Sequence, residues 1–564
     1  METKNILLAI VLSTLVLVIW ATFFETPPIE KKVPVAQKEK KIKNNDSIES
    51  PSLDGIETKN EISRNDALSS VKRIKIENEN ITGSISLQGA VIDDITFKNY
   101  KESLDSNERV VFLNPKNSPL GYYIGTGWAS NNNEKLKLPL ENTIWKVNGN
   151  NKLTPNNPVL LEWDNNEGLI FTKKIELDSN FLFKITQGIK NTSNKFFEFY
   201  PYTQITRNYK PEVTPIYILH EGFIGMFDDE LKEEDYEDIE KEKLTMNSSK
   251  GWLGITDKYW LTAIVPQKNK SFRSEFLAND GKYKANFIIT EPIILRSNTS
   301  ITNEIITFVA AKEVEIIDGY AEKFGIEKFD LAIDWGWFYF ITKPLFFVIN
   351  YFFKITGNFG VAIIILTALV RLTFFPLANY SFRSMAKMKI LQPEMVRLKE
   401  LYKDDKTKLQ QEMMALYKRE KVNPVSGCLP ILIQLPFFFA VYKMLFVTIE
   451  MRQQPFFGWI QDLSARDPTS IFNLFGLIPW DPPSFLMIGV WPILMGVSMY
   501  IQQKLNPAPT DPMQAKIFMF FPLFLTIILA PFPSGLVVYW TVSNVLTMAQ
   551  QWVIIRGTKV KTFK

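Results

Sequence analysis

Nucleophilic and metal-binding side chains are scarce here. The chain holds one cysteine, Cys428, and one histidine, His220, in 564 residues. A lone cysteine forms no disulfide within the chain. Set in an apolar stretch, it leaves the redox compartment undetermined. His220 follows Tyr217, Ile218 and Leu219 and reads as a packed or surface histidine rather than a catalytic one. No zinc-ligand spacing, phosphate-cradling glycine loop or Gly-x-Ser-x-Gly elbow stands in a convincing setting. The net charge of +4 is too small to suggest a nucleic-acid binder, so no specific DNA binding is expected.

What the chain has instead is long apolar runs, unevenly placed. The hydrophobic share is 46%, an average that hides two kinds of segment. The first twenty-five residues or so and roughly the last two hundred are rich in Phe, Ile, Leu and Trp; the stretch between is rich in Asn, Lys, Glu and Thr. Ile6 to Phe24 is nearly unbroken and long for a signal peptide. Ala21-Thr22-Phe23 is a poor cleavage site, so residues 1–25 read as an uncleaved transmembrane anchor. Further candidate spans are 358–378, 427–448, 484–503, 515–532 and 535–555, each near the ~20 residues that cross a bilayer. Pro436, Pro492, Pro522 and Pro531 interrupt them, which suits helices packed as a bundle.

Six spans leave both termini on one side, and positive charge says which. The connection 379–424 holds Arg383, Lys387, Lys389, Arg397, Lys399, Lys403, Lys406, Lys408, Lys418, Arg419 and Lys421. The tail 556–564 is basic too, whereas 449–483 has only Arg452 and Arg466 against four acids. The hairpin and both termini are therefore expected in the cytoplasm, and the large region before residue 357 outside it.

Residues 26–70 have the composition of a disordered linker. From about Val71 the pattern becomes that of half-buried strands. The segments 81–100, 181–191, 196–207 and 284–290 alternate apolar and polar residues between turn residues. A β-sandwich over 71–320 follows. The acidic run 228–243 reads as a solvated loop. Residues 321–356, with the aromatic run WGWFYFITKPLFFVINYFFK, read as an amphipathic interfacial helix; a further span is the alternative. In 379–424, Met388, Leu391, Met395, Leu398 and Tyr402, then Leu409, Met413, Leu416 and Tyr417, follow helical spacing and predict a helical hairpin. Its basic face suits anionic lipid headgroups and equally ribosomal RNA.

Arg371 lies inside the apolar run 357–377, where a charge is costly unless water or a partner relieves it. Thr367 is one turn away on the same face. Gln434 enters from the same leaflet, and Trp540 and Asn544 share a face of the final span. Two readings stay open. One is a snorkelling arginine with interhelical hydrogen bonds that hold a bundle together. The other is a wet, positive cavity facing the cytoplasm, with no carboxylate inside the spans to neutralise it.

The stretches SMAKMKILQPEM (384–395), QQEMMALYKREKVNPVSGCLPILIQLPFFFAVYKML (410–445), DPMQAKIFMFFPLFL (511–525) and FPSGLVVYWTVSNVLTMAQQ (532–551) resemble the YidC membrane protein insertase family, in that family's order. The resemblance covers nearly the whole chain and is to the Gram-negative type with a large periplasmic domain. It implies a multi-domain inner-membrane protein: a six-span α-helical bundle with a five-helix conserved core over 357–555, plus an all-β periplasmic sandwich. It implies no enzymatic reaction, no metal and no cofactor. A hydrophilic groove is implied at Arg371, Thr367, Gln434, Tyr539, Trp540 and Asn544; relatives often carry Tyr-Tyr where this chain has Tyr539-Trp540. A greasy slide for the incoming helix is implied at Phe438, Pro436, Ile528 and Met495. Ribosome or targeting contacts are implied at Lys387, Lys389, Arg397, Lys399 and Lys403. Implied partners are nascent membrane proteins, the Sec translocon with its accessory subunits, the ribosome and signal-recognition pathway, and membrane lipids. The rival readings are a small-anion transporter or channel with Arg371 as selectivity charge, and a sugar-binding envelope protein whose spans are mere anchors.

Overall fold

The computed structural model describes residues 62–131, 136–213, 219–423, 429–480, 482–483, 486–506 and 512–557. The expected anchor at 1–25, residues 26–61 of the linker, Cys428 and all but the first two residues of the tail lie outside these.

The alternating segments form strands. Ile81–Ser86, Val91–Lys101, Leu182–Asn191, Phe197–Arg207 and Lys282–Ile289 fall on the four stretches the pattern marks. Eleven strands make one sheet and nine the other, and aromatic rings from both meet between them. Phe97 stacks on Trp260 at 4.8 Å, and Phe223 lies 5.1 Å from Phe276. Burial of each such side chain contributes about 1.5–3 kcal/mol. In Leu169–Leu177 the inward parity is Leu169, Phe171, Lys173, Ile175 and Leu177. Lys173 therefore enters the core, where its ammonium donates to the Thr126 carbonyl at 2.7 Å and burial lowers its pKa to about 7.

Two expectations fail, one at the start of this domain and one inside it. The end of the linker is ordered: α1 (Arg64–Ser69) buries Ala67, and the Ser63 hydroxyl caps it. Arg64 ion-pairs with Asp94, so a charge pair and a cap fold residues that composition alone leaves polar. The acidic run is not simply a loop. It contains the strand Glu230–Glu234 and α2 (Tyr236–Lys241), whose Tyr236 and Ile239 sit three residues apart and are both buried.

The chain leaves the last long strand for α3 (Val314–Phe324), which packs Val314, Ile317 and Tyr320 against the domain. The Tyr320 hydroxyl donates to Asp178 at 2.6 Å, so the expected boundary at 320 falls inside a helix that belongs to the sandwich. Next comes α4 (Tyr339–Thr356). Its polar residues turn back to α3: Lys343 pairs with Asp318 at 2.9 Å, and Asn350 donates to Glu315 at 2.9 Å. Trp337, just before α4, and Phe340, Tyr351 and Ile355 on it are exposed, as an apolar face laid on lipid would be.

The helical region continues with α5 (Phe359–Thr373), α6 (Phe375–Leu401), α7 (Lys406–Arg419), α8 (Leu429–Val447), α9 (Val490–Leu505), α10 (Pro512–Leu529) and α11 (Ser534–Gly557). The span expected at 358–378 is broken: α5 and α6 meet at 68° across Phe374. Pro376 stands at the start of α6. It lacks the N–H that would continue the ladder and crowds the carbonyl one turn back. The expected span at 484–503 begins late. The Trp491 and Val490 N–H groups are taken by Asp467 Oδ2 at 2.9 Å and Thr469 Oγ1 at 3.0 Å, which fixes the start of α9 at Val490. Among the described residues no single helix is both long and apolar enough to cross a bilayer, and the bent pair α5–α6 alone reaches that length. Gly496 brings α9 against α10. A Cβ there would stand 2.0 Å from Thr526 Oγ1, so a larger residue at that crossing would force the Thr526 side chain to move.

Seven of the nine hairpin residues marked by their spacing pack together, Tyr402 and Leu409 standing apart. Leu391, Met395, Leu416 and Val422 form a core, joined by Met388, Leu398, Met413 and Tyr417.

Candidate functional site

Arg371 stands in the last turn of α5, three residues before the chain bends away at Phe374. The bend keeps its side chain beside α8 and α11 instead of along a continuing helix. Its Nη2 donates to Gln434 Oε1 at 2.9 Å, to the Ser543 hydroxyl at 2.5 Å and to the Ser543 carbonyl at 3.4 Å. Gln434 Nε2 donates in turn to Ser543 Oγ at 3.1 Å. Three helices thus hold one guanidinium through neutral groups. Among the described residues no carboxylate pairs with Arg371, so the positive charge is oriented but not cancelled.

These groups line a cleft with an empty volume of about 510 Å³, open solvent included. Its walls are Thr367, Val370, Arg371, Phe374, Leu377, Ala378, Gln434, Phe437, Tyr539, Ser543 and Gln550. Toward the start of α5 the packing closes: Ala362, Ile363, Leu366, Ala440, Val441, Met444 and Leu536 are all buried. The cleft therefore has an apolar floor toward the start of α5, and its walls reach Leu377 and Ala378 at the start of α6.

The named residues divide. Arg371, Thr367, Gln434 and Tyr539 meet in the cleft. Thr367 is buried, and its hydroxyl donates back to the Ile363 carbonyl at 2.7 Å, so it shapes the wall and offers no free donor. Asn544 lies on another face of α11 and donates to Ser498 at 3.0 Å, joining α11 to α9. Trp540 meets Phe438 edge-on at 4.7 Å and lines the cleft no more than Asn544 does. Pro436 sits inside α8. Ile528 is 44% exposed and Met495 0%; Ile528 therefore presents a surface, whereas Met495 is packed against Leu529 and Val537. Of the hairpin cations, Lys387, Lys389, Arg397 and Lys403 are exposed and Lys399 half-buried. Ser543 and Gln550 are polar residues of the cleft that stand inside the expected spans but were given no role from the sequence. Their signal was there: both lie on the face of α11 that carries Tyr539, at helical spacing.

His220 takes no part. Its Nε2 meets the Phe223 carbonyl at 2.8 Å and its Nδ1 lies 3.3 Å from Asp235. Among the described residues, no group of three or more His, Cys, Asp or Glu stands together as a metal site would need.

A second polar zone joins the β domain to the bundle. Lys443, near the end of α8, pairs with Asp334 at 2.7 Å. Arg452 Nη2 donates to the Lys101 carbonyl at 2.6 Å. Glu450 accepts from the Val314 N–H at 2.7 Å; burial, with Glu313 and Glu315 nearby, raises its pKa to about 7. Lys258 lies over the Phe446 ring at 3.7 Å, and burial lowers its pKa to about 8.

Two family models match the chain: YidC periplasmic domain over residues 73–348 and 60Kd inner membrane protein over 351–562. A membrane protein insertase YidC from Pelagibacter ubique is 57% identical over 562 residues, covering 100% of both chains. One from Methylorubrum extorquens is 44% identical, covering 99% of this chain and 96% of its own. A crystal structure of an active YidC insertase with its first transmembrane domain resolved aligns over 85% of this chain and 92% of its own, at 17% identity and a TM-score of 0.35. The matches span both the sheet domain and the helices that build the cleft, and the chain belongs to the YidC membrane protein insertase family.

Proposed function

We propose that the chain is an inner-membrane insertase that receives nascent membrane proteins in the Arg371 cleft and releases them sideways into lipid. The observation that carries this is a guanidinium held by Gln434 and Ser543, with no acid among the described residues to neutralise it, in a cleft with a packed apolar floor. A short hydrophilic tail entering from the cytoplasm exchanges water for these donors, so its desolvation costs less than in bare hydrocarbon. The adjoining hydrophobic segment moves past Phe438 and the exposed Ile528 into the bilayer. Its release is driven by apolar burial, about 25 cal/mol per Å². The packed floor favours this over an anion channel, which needs a continuous path.

In this reading α5, α8, α9, α10 and α11 cross the membrane as a five-helix core behind a sixth, N-terminal span, and α4 lies in the outer interface. Both termini are cytoplasmic and the sandwich periplasmic. The exposed hairpin cations meet the ribosome, the signal-recognition pathway or anionic lipid, and the Sec translocon shares larger substrates. The test is insertion by the purified full chain in lipid vesicles. A single-span substrate with an acidic tail becomes protease-protected with the wild type, and protection falls with Arg371→Ala. Equal protection with and without the wild-type chain would refute the proposal.

A further inference from the structure

One polar side chain of the cleft has no partner. Gln550 lines the same cavity as Tyr539 and Ser543, and its Oε1 and Nε2 are both buried without a hydrogen bond among the described residues. The lining also includes Phe374, Leu377 and Ala378, none of which has a polar side chain to answer it. Burying an amide with both ends unmet is unfavourable, and the cost is relieved only when another group arrives.

The chemistry of that group is constrained. A primary amide presents a donor and an acceptor in one plane, the complement of a peptide group. Arg371 only donates, so it favours carboxylates and carbonyls. Gln550 lies seven residues beyond Ser543 on α11, about 10 Å along the axis at 1.5 Å per residue. An extended chain rises about 3.3 Å per residue, so it spans this distance in about three residues. We propose that Gln550 is a second polar station of the cleft, pairing with a main-chain peptide group of the entering segment whatever side chains that segment carries. This rests on the insertase reading and adds a sequence-independent grip about three residues from the point where Arg371 selects charge.

The experiment uses the full chain in vesicles of phosphatidylethanolamine and phosphatidylglycerol, with single-span substrates whose tails are uncharged and differ in side chains. Gln550→Leu should lower insertion of every such tail about five- to tenfold, the loss of roughly one net hydrogen bond, and Gln550→Asn should recover part of it. In a Cys428→Ser background, Ser543→Cys and Gln550→Cys should form disulfides most readily with cysteines about three residues apart in a stalled extended tail. Undiminished insertion with Gln550→Leu would show that the amide is merely solvated and would overturn the inference alone. A loss confined to one tail sequence, or coincident crosslink maxima, would overturn it too. A wild-type chain that inserts no tail would overturn the insertase reading and this inference together.

Discussion

The Arg371 guanidinium lies 2.5 Å from the Ser543 hydroxyl, although 172 residues separate them in the chain. This contact ties the end of α5 to the middle of α11 and aims the charge into the cleft. Arg371→Ala is expected to lower insertion of acidic-tailed substrates about ten- to hundredfold, the range of a charged hydrogen bond. Ser543→Ala leaves Gln434 as an acceptor and should cost about two- to tenfold on the same scale. Protease-protection assays with both variants decide the matter. A larger loss from Ser543→Ala than from Arg371→Ala would make the hydroxyl, not the charge, the operative group.

The pairing of Lys443 with Asp334 at 2.7 Å is a second such tie, between α8 and the segment leading to α4. Both side chains are mostly shielded from solvent. Asp334 also accepts from the His220 N–H at 3.0 Å, so removing its carboxylate breaks a largely shielded ion pair and a main-chain contact together, which costs roughly 3–5 kcal/mol. Asp334→Ala should therefore lower the melting temperature of the purified chain. The double variant Asp334→Ala/Lys443→Met should recover part of that loss because the shielded lysine charge is removed together with the carboxylate that faced it. Additive losses in the double variant would show that the two residues act separately.

Glu450 sets a pH dependence. Its pKa is raised from 4.5 to about 7, mainly by burial, so the folded state holds a proton that the unfolded state has lost. Stability from this group is full below about pH 4.5 and declines as pH rises to about 7. The wild type should melt at a lower temperature at pH 7.5 than at pH 5 by a margin that Glu450→Gln reduces. Parallel pH profiles for the two proteins would show that Glu450 stays ionised in the folded state.

The sequence made the sheet region legible because half-buried strands write their period into it, as Leu169–Leu177 does. It misplaced α9 because apolar content runs continuously through 484–503, while the helix start depends on Asp467 and Thr469, some twenty residues upstream. It treated 358–378 as straight because Pro376 bends a helix only in three dimensions, through a missing N–H and a steric clash. In the cleft, Arg371 was conspicuous as a charge in an apolar run. Ser543 and Gln550 were not, because small and neutral polar residues are common in packed helices, and only the fold turns them toward the arginine. Asn544 looked equivalent by the same reasoning, yet α11 turns it toward Ser498.

The hairpin separates stability from docking. Leu416 is 3% exposed in the small core between α6 and α7, so Leu416→Ala should destabilise the hairpin by about 2–5 kcal/mol and raise its protease sensitivity. Lys387, Lys389, Arg397 and Lys403 are exposed; of these, Arg397 makes an exposed contact with Glu394 at 3.7 Å, worth about 0–1 kcal/mol. Reversing all four to Glu should leave the melting temperature within about 2 °C, as surface substitutions rarely exceed ±0.5 kcal/mol each. The same variant should lose most of its co-sedimentation with ribosomes, and wild-type binding should weaken as salt rises, because exposed charges are screened. If the reversed variant still sediments with ribosomes at the wild-type level, the basic face is only a solvated surface, and the hairpin's contribution lies in its packed core.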